Sequence, residues 1–141
     1  MSVLVAIACA DAEVTNLVII LDGRGQPLII PVLAVAAASA DARTEDGDVA
    51  LRGLERLENS LVAPLQNTEQ ATRIAAFAAK AELDMGDAHV AAVAHVSACP
   101  ILTLEADKWR QHARDLGEPL DIIEIADLPD SADGQDGGSL V

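Results

Sequence analysis

The sequence predicts an α/β fold built around a small parallel sheet. Short apolar runs, each long enough for one buried strand, alternate with longer segments in which apolar residues recur every three or four positions. This alternation is typical of parallel sheets, because two parallel strands are joined by a crossover that is usually a helix. We therefore expect one domain over residues 1–126 and a polar, acidic tail, 127–141, that is disordered.

Composition limits the classes of function. The chain has 141 residues, which suits one domain with a true core, and only 1% of them are aromatic, so that core must consist of Ala, Val, Leu and Ile. A formal net charge of −14 argues against non-specific nucleic-acid binding, since phosphate contacts need Lys or Arg. The same charge would suit a basic partner or a metal ion. Cys9 and Cys99 lack metal-ligand spacing and are expected to be free thiols in the cytoplasm.

The N-terminal region begins with an apolar run, 2–10, whose secondary structure is ambiguous, followed by an amphipathic helix at 12–22. Asp11 and Glu13 interrupt the apolar run well before it reaches the length of a membrane span. It also lacks the basic start of a signal peptide, so we expect no membrane association. The sequence 23–25, Gly-Arg-Gly, is interpreted as a turn, because it lacks the length and the lysine of a phosphate-binding loop.

The middle of the chain continues the alternation of strands and helices. Pro31 takes the favoured first-turn position of an alanine-rich helix, which is expected to be buried against the sheet or a partner. We expect a strand at 27–30, a helix at 32–40, a polar loop at 41–48, a helix at 49–57, an extended segment at 61–65 and a helix from Asn67 or Thr68 to Glu82.

The stretch 83–109 carries most of the functional information. Asp84 and Asp87 stand at the start of a helix that Pro100 ends, and an apolar strand, 101–104, follows. Glu105 and Asp107 come directly after this strand. A helix at 107–116, closed by Gly117, and a last strand at 120–125 complete the predicted domain.

These acids predict a small acidic pocket. Ligands of open α/β sheets bind beyond the carboxyl ends of the strands, where Glu105 would face Asp84 and Asp87 at a neighbouring helix start. Such a pocket suits Mg²⁺. The alternative is that Asp84 or Asp87 simply caps its helix and that Glu105 and Asp107 likewise start the next one, and we favour the capping role for Asp107. His89 and His95 are six residues apart and form no metal-binding pair, and we expect His112 to be solvated.

The segment Asp84-Met85-Gly86-Asp87-Ala88-His89-Val90, its alanine-rich helix, and then Pro100-Ile101-Leu102-Thr103-Leu104-Glu105 resemble the C-terminal half of a PIN domain of the bacterial toxin–antitoxin type. Residues 27–31 and the helix after them resemble the second strand and third helix of that family. The resemblance covers roughly residues 2–126. It implies a three-layer α/β/α fold, a ribonuclease that uses Mg²⁺ or Mn²⁺ to activate water, an RNA substrate and a basic antitoxin protein as partner.

Carried over by position, Asp87 fills the third acidic site of the family and Glu105 the fourth. Thr103 matches the hydroxyl residue at the strand end, and Asp84 is a possible extra metal ligand. Two departures accompany this match. The first Asp would fall one position before Met1, so that either the true start lies upstream or the first strand and its Asp are missing, and the second acid falls at Ala37. Metal binding is therefore expected to be weak.

Three functions remain open from sequence. The first is a PIN-type ribonuclease, expected to be the toxin of a toxin–antitoxin type system, with Asp87 and Glu105 on the metal. The second is a catalytically inactive PIN-like domain that binds protein after losing two acids. The third is a small-molecule-binding α/β domain unrelated to nucleases. The alanine-rich helices could serve pairing with an antitoxin or a homodimer.

Overall fold

The computed structural model describes residues 1–128 and 138–141. Within these residues the chain forms seven α-helices, four strands and two single 3₁₀ turns, Leu54–Arg56 and Ile125–Asp127. In chain order the elements are α1 (Ser2–Ala8), α2 (Ala12–Gly23), β1 (Leu28–Pro31), α3 (Val32–Ala42), α4 (Glu45–Gly53), β2 (Ser60–Ala63), α5 (Thr68–Ala81), α6 (Met85–Ser97), β3 (Ile101–Thr103), α7 (Ala106–Leu116) and β4 (Ile122–Glu124). The ambiguous run at the N-terminus is thus helical.

All the strand pairs in this part of the chain are parallel. β1 pairs with β2, with Leu28 opposite Ser60, and β3 pairs with β4, with Ile101 opposite Ile122. Each pair is connected through helices, because parallel neighbours cannot be joined by a short hairpin turn. This mixture of helices and parallel strands is compatible with the predicted α/β class, although the strands form two small sheets where one was expected.

The C-terminal segment, residues 138–141, joins the two sheets. Leu140 donates its N–H to the carbonyl of Pro27 at 2.9 Å, and its own carbonyl accepts from Ile29. On the other side Val141 donates to Pro100 at 3.0 Å and accepts from Leu102 at 2.7 Å. The segment therefore lies between β1 and β3 and gives the order β2–β1–segment–β3–β4.

This segment corrects the expectation of a disordered tail. Leu140 is only 7% exposed and belongs to the core, and Leu128 also packs against that core. Residues 129–137, which the same expectation covered, lie outside the described residues. Leu140 and Val141 are enough to order this segment, because β1 and β3 each offer an unpaired edge. The backbone groups of the segment therefore find hydrogen-bond partners on both sides.

The core has two parts, one on each face of the strands. Leu102 packs with one part and its neighbour Ile101 with the other, as expected when successive strand side chains point to opposite faces. The first part includes Val3, Ile7, Val14, Val18, Leu21, Leu51 and Leu54 from α1, α2 and α4 and the turn after α4. The second includes Ile74, Ala78, Val90, Ala91, Trp109 and Leu116 from α5, α6 and α7.

Residues 41–48 are not the polar loop that the sequence indicates. Here α3 continues to Ala42 and α4 already begins at Glu45. Thr44 caps α4 by accepting the N–H of Gly47 at 3.0 Å. Three acids in the first turn favour the helix, because negative charge is stabilised at the positive end of the helix dipole.

Trp109 and His112 on α7 form an aromatic pair. Trp109 is 2% exposed, and the edge of His112 meets it at a ring-centroid distance of 5.6 Å. Both ring nitrogens of His112 are buried without a hydrogen-bond partner in the described chain, so the prediction of a solvated His112 is wrong.

Across residues 1–128 and 138–141 no single helix is long and apolar enough to span a membrane, although α1 and α2 together pass that test as a pair bent by 112°.

Candidate acidic site

Asp84 is the N-cap of α6. Its carboxylate accepts the backbone N–H of Asp87 at 2.8 Å, which satisfies one of the unpaired donors at the helix start. The capping alternative for Asp84 therefore describes its contacts in this structure.

Asp87 lies in the first turn of α6 and is 5% exposed. Its Oδ1 is 3.4 Å from the amino nitrogen of Met1. A carboxylate taken out of water needs a compensating charge or hydrogen bonds, and the ammonium group supplies it here. Asp87 does not act as the cap, since Asp84 has that role, so its burial is explained by the pairing with Met1.

Thr103 ends β3 and is fully buried. Its Oγ1 lies 3.1 Å from Oγ of Ser2 and accepts the N–H of Glu105 at 2.9 Å. Ser2 in turn accepts the N–H of Leu104 at 3.0 Å. These contacts join the first turn of α1 to the carboxyl end of β3, so Ser2 is a structural member of this site in addition to Thr103.

The two acids after β3 point elsewhere. The Glu105 side chain is about half exposed, and its carboxylate is 3.6 Å from Nζ of Lys108. Asp107 lies in the first turn of α7, but its carboxylate bonds Arg110 at 2.8 Å and makes no capping bond. The interpretation of Asp107 as a cap is therefore wrong. Its side chain is fully exposed, where an ion pair contributes little to stability.

Met1 and Ser2 connect the separate parts of the site. Met1 contacts Asp87 on α6, while Ser2 contacts Thr103 at the end of β3. Glu105 follows Thr103 by two residues, and its backbone N–H donates to the hydroxyl of Thr103. The segments of Asp87 and Glu105 therefore meet at the first turn of α1, at the carboxyl end of β3.

The position that the resemblance assigns to the second acid borders the same place. A Cβ added to Gly86 would lie 2.8 Å from Cβ of Ala37, 3.0 Å from Sδ of Met1 and 3.2 Å from Oδ1 of Asp84. Ala37 on α3 therefore packs against the first turn of α6. Only a glycine at position 86 lets the two helices approach this closely without a shift of the neighbouring atoms.

These residues do not fit a tightly held divalent cation. Mg²⁺ and Mn²⁺ favour several oxygen ligands with net negative charge. Among the residues that the structure describes, no three His, Cys, Asp or Glu side chains are grouped to hold a metal. The ammonium of Met1 would also compete for Asp87, and Lys108 for Glu105.

A second polar position was missed by the sequence reasoning. His89, on α6, is 3% exposed, and its Nδ1 accepts the backbone N–H of Leu33 at 3.2 Å. Burial lowers the pKa of His89 below its ordinary value, because desolvation disfavours the charged ring. The only sequence signal is a histidine among alanines and valines on a buried helix, which more commonly marks an ordinary core residue.

Comparison with known proteins adds no relative. No protein-family model matches the chain, and neither a curated protein nor a solved structure matches it significantly.

Proposed function

We propose that this chain is a PIN-like domain descended from metal-dependent endoribonucleases, with an incomplete acidic site. The observation that carries the proposal is the meeting of two remote segments at the first turn of α1. Asp87 contacts Met1 there, and Thr103, two residues before Glu105, contacts Ser2. These are the positions to which the resemblance assigns the third and fourth acids.

Ala37 gives independent support. The resemblance assigns the second acid to this position, which is remote in sequence from both Asp84 and Asp87. In the structure the Ala37 side chain borders Gly86, between those two residues. A carboxylate at position 37 would therefore extend the acidic group of α6. If the resemblance were a chance match of sequence patterns, position 37 would have no reason to lie beside that group.

The remaining carboxylates set an upper limit on the activity. With alanine at position 37 in place of the second acid, a divalent cation would be held weakly, and RNA cleavage would be slow or lost. The net charge of −14 adds to this, since it repels the phosphates of an RNA substrate.

The decisive test restores the second acid. We expect Ala37→Glu to bind Mn²⁺ about tenfold more tightly than the natural chain, because cation affinity rises with the number of ligand charges. Ala36→Glu is the matched control, since it adds the same charge one position away on the exposed face of α3. Paramagnetic broadening of backbone amides in NMR spectra measures both affinity and location.

The broadening must centre on Asp87 and Glu105. Asp87→Asn and Glu105→Gln should each weaken it, whereas Asp107→Asn, two residues further on, should leave it unchanged. Equal broadening in the Ala36 and Ala37 variants, or none near Asp87, would contradict the proposal. Cleavage of single-stranded RNA by the Ala37→Glu chain with Mn²⁺, and its loss on Glu105→Gln, would extend the support to activity.

The second candidate is an inactive PIN-like domain that binds protein. It is favoured by the pairing of both carboxylates inside the chain, Asp87 with Met1 and Glu105 with Lys108. Ile19 and Ile20 on α2 are also about half exposed, which suits contact with a partner or a second copy. If Mn²⁺ fails to bind and Ile19→Asp abolishes association with a basic partner protein, this candidate replaces the first.

A further inference from the structure

A groove remote from the acidic site lies between one face of β1 and β2 and the helices α5 and α6. Its volume is about 280 Å³. The walls are mainly apolar and include Ile29 and Leu61, which are opposite each other on the paired strands, and Ile74 and Val96 from the helices. Leu61 is 65% exposed and Val96 64%, so two large apolar side chains stand open at the surface.

One buried polar group faces this groove. His89 lines it, although the side chain is only 3% exposed. Nδ1 of the ring accepts the N–H of Leu33, which fixes the hydrogen of the neutral ring on Nε2. Nε2 has no hydrogen-bond partner among the described residues, and it is not sealed from solvent as the nitrogens of His112 are. Because His89 lines the groove, a ligand bound there could accept from this donor.

A positive charge lies at the same groove. Arg73 on α5 lines it, and its guanidinium also contacts Glu69 at 3.2 Å. Both side chains of that ion pair are substantially exposed, so the pair is weak and Arg73 keeps donors for a ligand. A donor on His89, a cation on Arg73 and apolar walls together are complementary to an acid with an apolar body.

We propose that this groove binds a small monocarboxylic acid whose apolar body lies between Leu61, Ile74 and Val96 and whose carboxylate accepts from His89 and Arg73. The arrangement follows the usual design of small-molecule sites, in which apolar walls supply affinity and a few polar groups fix orientation. The site is independent of the proposed nuclease ancestry, because it shares none of the acidic residues.

The test uses the whole chain and 4-tert-butylbenzoate as the probe. For a ligand of this size we expect a Kd on the order of 1 mM or tighter. Chemical-shift changes in NMR spectra should map to β2, α5 and α6, and the ¹⁵N signal of Nε2 of His89 should move. The matching neutral amide should bind about tenfold more weakly, since it lacks the charge that Arg73 recognises.

Variants at the exposed positions Val96 and Arg73 keep the main test independent of folding. Val96→Asp should abolish binding, because it places a charge against the apolar body and the carboxylate. Val49→Asp is the matched control: Val49 is 56% exposed on α4, outside the groove. Arg73→Gln should weaken binding severalfold. His89→Asn, which keeps an acceptor near Leu33 but removes the Nε2 donor, should weaken it further.

Three results would overturn the proposal. The first is no saturable binding at about 10 mM acid, far above the expected Kd. The second is equal affinity for the acid and the amide, which would mean that the protein does not recognise the charge of the carboxylate. The third is an equal effect of Val96→Asp and Val49→Asp, which would place binding elsewhere.

Discussion

Gly86 lies where α3 packs directly against the first turn of α6. Gly86→Ala would place a methyl group 2.8 Å from Cβ of Ala37, a distance that requires one helix to move. Overpacking of this kind costs about 1–3 kcal/mol, which exceeds the gain in helix propensity from replacing glycine. We expect a net loss of unfolding free energy, measured by urea denaturation.

Gly53→Ala is the control for this loss. Gly53 is also helical, but a Cβ there meets nothing within 4 Å. The substitution should stabilise the protein by up to about 1 kcal/mol, because only the propensity term remains. A Gly86→Ala chain as stable as the natural one would contradict the close contact between α3 and α6.

His89 makes stability depend on pH. Its folded-state pKa is lowered by burial, so as the pH falls the unfolded chain, with a pKa of about 6.5, takes up the proton first. The free energy of unfolding should therefore decrease as the pH falls below about 6.5, and level off below the folded-state pKa. Above about 6.5 both states are neutral at this site and the contribution is constant.

The measurement is the urea midpoint between about pH 7.5 and about pH 5.5, compared with His89→Asn. The difference between the two chains isolates His89, because every other residue is the same in both. A difference that does not change with pH would show that the buried ring keeps its ordinary pKa.

At the scale of single elements, α4 depends on its cap. Thr44→Ala removes the hydroxyl that accepts from Gly47 at 3.0 Å, and should cost about 1 kcal/mol of stability. Thr72→Ala is the control, since Thr72 is exposed inside α5, where alanine is the better helix former. An equal loss in both variants would indicate that Thr44 has no capping role.

The sequence predicts α6 and β3 well because their signals are local. Asp84 is a good N-cap, and Pro100 cannot continue a helix, so both boundaries follow from residues at the boundary itself. The start of α4 was missed because Gly47 and its acidic neighbours favour a loop by composition. There the Thr44 cap and the packing of Leu51 in the core decide the structure instead.

In the candidate site, too, the sequence predicts the local features but not the contacts between distant residues. Asp84 and Asp87 can be placed at a helix start from sequence, whereas the contact of Asp87 with Met1 and the packing of Ala37 against Gly86 depend on how distant elements pack. The tautomer of His89 depends on the N–H of Leu33, more than fifty residues away, and no local pattern indicates it. Pairings of this kind require the tertiary structure.

At the scale of the whole molecule, Leu140 holds the two sheets together. Leu140→Asp would place a charge in the core, where Leu140 is 7% exposed, and should lower the free energy of unfolding by about 2–5 kcal/mol. Ser139→Asp is the matched control, because it adds the same charge at the preceding, less buried residue. Urea denaturation compares the two, and equal stability would contradict a structural role for the segment.

The position of Leu140 also bears on how the chain folds. Its hydrogen bonds join residues more than a hundred positions apart, and such long-range pairing forms slowly because a large loop must close first. Until it forms, β1 and β3 each present an unpaired edge, which is a template for pairing with other chains. Aggregation during refolding should therefore increase steeply with protein concentration. The edges of β1 and β3 stay available to other chains until the segment with Leu140 pairs with them.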